Sequence, residues 1–196
     1  MSSVVEFFYD YGSPYSYIAN SQLSGLIERT GCTIRYRPML LGGVFKATGN
    51  HSPAEEAVEA KRRYFGSEMK RWVDYLGLSL RSNPHFPVNT LLLMRCAHAA
   101  MARGEFETFH RAAFSALWEQ EKNLADPSVL GEVLSGAGLE PGSLLENASD
   151  PEVKGALRET TEEAVARGVF GAPSFFVDGE LFLGNDRLGF VERALN

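Results

Sequence analysis

Hydrophobic and polar positions divide the chain into three stretches with different periods. Val4, Val5, Phe7 and Phe8 form a short apolar run that predicts a buried strand over residues 3–9. Behind Pro14, the positions Ile18, Leu23 and Leu26 follow a helical period, which predicts a helix over 14–30 with Gly31 as its stop. Thr33, Ile34, Arg35 and Tyr36 carry strand propensity and predict a strand over 32–38. The long middle is helical. Ser52-Pro53-Ala54-Glu55 reads as a capping box. Behind it Val58, Phe65, Met69, Trp72, Val73 and Leu76 recur at helical spacing up to Gly77. Residues 79–88, with Pro84 and Pro87, read as a loop. Helical patterns resume at about 89–102, 105–119, 127–137 and 151–167, with Asp126-Pro127 and Asp150-Pro151 as starts. The last stretch alternates again. Ser174–Val177 and Leu181–Leu183 flank Asp178-Gly179, a hairpin signal, and residues 187–195 close the chain as a helix.

The two ends therefore supply β-α-β and β-β-α, with a helical block between them. Strand-helix-strand predicts parallel pairing through a right-handed crossover. The class is α/β, and the arrangement resembles the thioredoxin fold carrying a large inserted all-helical domain. The boundaries expected are 1–40 and 168–196 for the thioredoxin-like domain and 41–167 for the insertion with its connecting loops.

Composition narrows the function. Of 196 residues 44% are hydrophobic, enough for a substantial core, and the formal net charge is −6. That balance argues against nucleic acid or an anionic membrane as partner. No apolar segment is long enough to span a bilayer and no leader pattern opens the chain, so a cytoplasmic location is expected. Cys32 and Cys96 lack metal or redox spacing and read as buried thiols. His51, His85, His98 and His110 lack ligand spacing, so no metal is expected. Leu41-Gly42-Gly43 lacks the lysine-serine end of a phosphate loop.

The chemistry concentrates at Asp10-Tyr11-Gly12-Ser13-Pro14-Tyr15-Ser16-Tyr17, where a strand turns into a helix. A helix start offers free N–H groups and a positive dipole end, which favour a thiolate or other anion. In thioredoxin-like proteins this corner carries Cys-Pro-x-Cys; here Ser13 and Ser16 take both places. Ser13 alone reads equally as a helix N-cap, and a serine without a base is a poor nucleophile.

Four segments carry a closer resemblance: Phe8–Tyr17, Leu41–Asn50 with its Lys-Ala-Thr-Gly-Asn end, Gly168–Phe175 around Gly171-Ala172-Pro173, and Gly184-Asn185-Asp186-Arg187-Leu188. In this order the chain resembles the 2-hydroxychromene-2-carboxylate isomerases, relatives of the kappa-class glutathione transferases in the DsbA-like branch of the thioredoxin superfamily. The resemblance implies glutathione as cofactor, with Ser13 donating a hydrogen bond to its sulfur. It implies a cis Pro173, with the backbone of Ala172 binding the cysteinyl segment. Leu183, Gly184, Asn185 and Asp186 would hold the γ-glutamyl end, although helix capping also accounts for Asn185 or Asp186. Arg187 fits either a carboxylate ligand or a surface pair. Lys46, read as a loop lysine, would bind the carboxylate of a small aromatic substrate and polarise its carbonyl, with Asn50 and Asn89 beside it. Capping accounts equally for Asn89, and His85 reads as a solvated loop histidine. The implied reaction is reversible addition of the glutathione thiolate to the aromatic keto acid, rotation about the resulting single bond and expulsion of the thiolate. The other readings are a kappa-like transferase that keeps the thioether, a disulfide oxidoreductase, disfavoured by serine at 13 and 16, and a glutathione-binding protein without turnover. A homodimer is expected from the same resemblance.

Overall fold

A computed structural model describes residues 3–195; the outermost residues of the expected thioredoxin-like domain, 1, 2 and 196, lie outside it. Four strands form one sheet in the order β2-β1-β3-β4. β1 (Val4–Tyr9) is central and pairs parallel with β2 (Thr33–Pro38), from Val4 opposite Thr33 to Tyr9 opposite Pro38. β3 (Ser174–Val177) runs antiparallel to β1, placing Phe7 opposite Phe175, and β4 (Glu180–Leu183) closes the hairpin. Asp178 and Gly179 have φ of 48° and 88°, the two left-handed residues that a tight two-residue hairpin requires. The parallel crossover and the hairpin thus stand as the alternation of residues predicts.

Strand alternation sorts the core into two faces. Val5, Phe7 and Tyr9 point to one side and join Leu23, Leu26 and the helical insertion in a continuous cluster. Phe8 points to the other and packs with Met39, Val44, Ala164, Val169 and Phe176. Glu6, on the Phe8 side, pairs with Arg37 at 2.9 Å and Arg167 at 2.7 Å, and Arg167 lies 3.8 Å over the Phe176 ring.

The helices depart from the expected pattern in four places. The expected helix 14–30 is two: α1 (Pro14–Asn20) and α2 (Leu23–Thr30). Ser21 Oγ and Gln22 Nε2 both donate to the Ile18 carbonyl, taking it out of the helical ladder. The supposed loop after β2 is α3 (Leu41–Thr48), ended by Gly49 in the left-handed region. The Ser52 box makes only a 3-10 turn, Pro53–Glu55, with Ser52 Oγ accepting from Ala54 N–H; α4 (Glu59–Leu76) starts later. Glu56 accepts from the Val58 N–H just before it. The next four helices are α5 (Leu91–Ala102), α6 (Phe106–Trp118), α7 (Pro127–Gly136) and α8 (Pro141–Asn147), the last not expected. Glu140 caps α8 by accepting from Ser143 N–H. α9 (Pro151–Ala166) leads back to the sheet, and a 3-10 turn, Asn185–Arg187, leads into α10 (Leu188–Ala194). No helix among the described residues is long and apolar enough to cross a membrane.

Candidate active site

Ser13 caps α1 as the strand-to-helix reading suggests, its Oγ accepting from Ser16 N–H at 3.2 Å. The same oxygen donates its one proton across 159 residues of sequence to the Ala172 carbonyl, at 3.1 Å. The Ala172–Pro173 bond is cis. Pro173 O in turn accepts from Gly184 N–H at 2.9 Å, and Ser174 lies opposite Leu183 in the sheet register. So Ser13, Ala172, Pro173, Leu183 and Gly184 form one connected corner.

Gly184 has φ of 112°, which strains any residue with a Cβ, and a Cβ there would also press the exposed Asp186 carboxylate aside. Asn185 is buried, and its Nδ2 has no hydrogen-bond partner within the protein. Neither Asn185 nor Asp186 makes the N-cap bond that the sequence allowed. Asp186 is exposed and pairs with Arg187, which gives Arg187 a surface partner. Tyr15, two residues after Ser13, is half-buried beside this corner. Burial pushes its hydroxyl up to about 12, with Glu68, Asp186 and Tyr64 adding to the shift. The 3-10 turn and α4 thus both approach the start of α1.

Beneath Ser13 lies a residue that the sequence reading passed over. Asp10 is buried and accepts from Gly12 N–H at 2.9 Å, Leu41 N–H at 2.9 Å and Thr90 Oγ1 at 3.0 Å. One carboxylate therefore fixes the corner, the start of α3 and the start of α5. Burial raises its pKa, and the three donors oppose that shift. Gly12 is the close approach that allows this: a Cβ there would meet Thr90 Cγ2 at 2.9 Å. The signal available was an aspartate inside an otherwise apolar and aromatic run, but its partners lie far along the chain.

The expected substrate residues are placed apart from this core. Lys46 is exposed on the last turn of α3, a helix rather than a loop, and lines a groove shared with α5 and α9. Asn50 is exposed; its Nδ2 donates to Phe170 O at 2.8 Å, two residues before Ala172. Asn89 is exposed and accepts from Leu91 N–H at 3.1 Å, from the position before Thr90, the N-cap of α5. It lies between Val88 and Thr90, which face Gly12. His85 is exposed. Ser16 is buried with an unpartnered hydroxyl. Cys32 and Cys96 are free and buried, and burial pushes the Cys96 thiol up to about 12. No group of metal-ligating side chains occurs among the described residues.

A buried serine facing a cis-proline peptide at the end of a central strand defines a thioredoxin-type corner without its redox pair. The chain belongs to the DsbA-like thioredoxin family, whose domain model matches residues 4–196. Within it, similarity over nearly the full length runs to enzymes of two names. The 2-hydroxychromene-2-carboxylate isomerase of Sphingobium xenophagum is 34% identical over 197 residues, covering 100% of this chain and 99% of that one. A solved structure of a 2-hydroxychromene-2-carboxylate isomerase superposes with a TM-score of 0.86 at 29% identity, over 98% of this chain and 94% of the other. Human glutathione S-transferase kappa 1 is 27% identical over 210 residues, covering 97% and 90%.

Proposed function

We propose that the chain is a glutathione-dependent isomerase of an aromatic keto acid of the 2-hydroxychromene-2-carboxylate type. The observation that carries this reading is the Ser13 hydroxyl held 3.1 Å from the Ala172 carbonyl, at a corner with no cysteine. The residues present fit a tripeptide. Next to the cis peptide stands a buried Asn185 amide lacking an acceptor, a deficit worth about 1–3 kcal/mol that a ligand carboxylate would remove. Bound here, glutathione supplies the thiol nucleophile that the polypeptide lacks.

The chain's own residues then have separate tasks. Ser13 carries one donatable proton, now spent on Ala172 O. Turning it toward a sulfur favours the thiolate and frees that carbonyl to accept a peptide N–H. Leu183 and Gly184 shape the wall, Asn185 donates to a carboxylate and Asp186 accepts from an ammonium. Lys46 anchors the carboxylate of the keto acid and stabilises charge as it develops, with Asn50 and Asn89 flanking it. The tie between Asn50 and Phe170 O supports this placement, because it ties the end of α3 to the segment before Ala172. A cytoplasmic homodimer completes the reading, and its association is read by sedimentation.

The full-length isomerase relatives favour isomerisation; the kappa-class relatives favour a second reading, conjugation of small electrophiles. Turnover of 2-hydroxychromene-2-carboxylate and conjugation of chlorodinitrobenzene, each with and without glutathione, separate the two. Isomerisation that needs glutathione and falls ~100-fold or more in Ser13→Ala supports the proposal. Glutathione-independent turnover, or unchanged turnover in Ser13→Ala at saturating glutathione, ends it.

A further inference from the structure

A groove of about 840 Å³ runs along α9, walled by α3 and α5. Its size is that of a small-molecule site. Leu40, Leu91, Leu157 and Val165 give it an apolar lining. Its charges have one dominant sign: Lys46, Arg95, Lys154 and Arg158 against Glu162 alone. This is a concentration of cations in a chain of net charge −6. Arg158 and Glu162 stand 3.7 Å apart on the surface. Lys46, Arg95 and Lys154 make no ion pair among the described residues.

Arg95 is the informative member. Its Nε is buried and has no hydrogen-bond partner. A guanidinium donor shut away from water and left unpaired costs more than a neutral one, and a carboxylate is its natural complement. Neighbouring cations repel one another, which an anion between them would relieve. A bare inorganic anion would use the charges but waste the apolar lining.

We propose that this groove is a second binding site, taking a small apolar carboxylate with its head on Arg95 and its body on Leu40, Leu91 and Leu157. It is separate from the Ser13 corner, since only Lys46 belongs to both readings. It is independent of the glutathione assignment but shares Lys46 with the keto-acid site proposed above, so Arg95 and Lys154, which that site does not use, carry its test.

The probe is 1-naphthoate, titrated calorimetrically into the full-length protein and into its Arg95→Met, Lys154→Gln and Ser13→Ala variants, beside the neutral 1-naphthamide. The site predicts equal affinity in wild type and Ser13→Ala, a ~10-fold or greater loss in Arg95→Met, and a similar preference for acid over amide. Binding weakens with added salt. Should Arg95→Met not fold, Lys154→Gln, at an exposed position, carries the test through a severalfold loss. Absence of binding, equal affinity for acid and amide, or affinity unchanged in the folded charge variants overturns the proposal. So does loss confined to Ser13→Ala, which would place the acid at the other corner.

Discussion

Asp10 shows how much one buried side chain holds. Its two oxygens serve three donors, with Oδ2 facing both Leu41 N–H and Thr90 Oγ1. Asparagine offers a single acceptor oxygen and would turn an NH2 toward a donor. Asp10→Asn is therefore expected to lose about 2–3 kcal/mol in urea unfolding, and to loosen Ser13 together with the starts of α3 and α5. Gly184→Ala puts a methyl group on a residue with φ of 112° and makes the exposed Asp186 carboxylate turn aside. It is expected to weaken glutathione binding, read by calorimetry, more than it lowers the melting temperature, because the strain falls on the ligand turn. His110 governs acid stability. It sits buried between Tyr11 Oη at 2.9 Å and Asn20 Oδ1 at 2.8 Å, and burial lowers its pKa from 6.5 to about 3. The unfolded chain takes up a proton that the folded chain refuses. The stability is therefore full above the unfolded value of 6.5 and lost as pH falls toward about 3. His110 alone is expected to remove about 2 kcal/mol between pH 7 and pH 5, and His110→Gln to flatten that slope in urea titrations at the two pH values.

Elements were legible where their signals were local. The strands, the Asp178-Gly179 turn and the Asp126-Pro127 helix start all declare themselves within a few residues. α3 did not, because its cap is the Asp10 carboxylate and its Gly43 answers to α9: a Cβ there would press Thr161 Cγ2 at 3.1 Å. Two glycines in one turn argue against a helix by propensity, and packing overrides them. The 14–30 helix broke because side chains of Ser21 and Gln22 compete for one carbonyl, which periodicity does not report. At the site, Ser13, Ala172, Pro173 and Gly184 were readable as motif positions. Asp10 and Thr90 were not, because their meaning lies in a contact between distant segments. That contact makes a prediction at this scale. Gly12→Ala pushes Thr90 and the start of α5 away and is expected to cut turnover while the fold persists. Thr90→Ser removes the offending methyl and keeps the hydroxyl for Asp10, so the double variant recovers activity that Gly12→Ala alone has lost.

The whole molecule brings the site together from the two ends of the chain. Parallel pairing of β1 with β2 and antiparallel pairing with β3 set Ser13 against Ala172, and α6 packs against the same end of β1, with Trp118 Nε1 donating to Tyr11 O at 2.8 Å and His110 against Tyr9 and Tyr11. Charge at this scale is uneven. The Glu6 cluster holds Arg37 and Arg167 against the second face of the sheet, while Lys46, Arg95 and Lys154 of the α9 groove make no ion pair among the described residues. Glu6→Gln is expected to destabilise the fold by about 1–3 kcal/mol in urea unfolding, since it leaves two half-buried guanidiniums with fewer partners. The account as a whole turns on sulfur being supplied from outside and activated at Ser13. The direct measurement is the ultraviolet absorbance of glutathione thiolate bound to the protein, followed across pH in wild type and Ser13→Ala. The account predicts thiolate in the wild type well below the ordinary thiol value of about 8.5, and a return toward that value in Ser13→Ala. Bound glutathione that titrates like the free tripeptide in both proteins, or no bound glutathione at all, would contradict it.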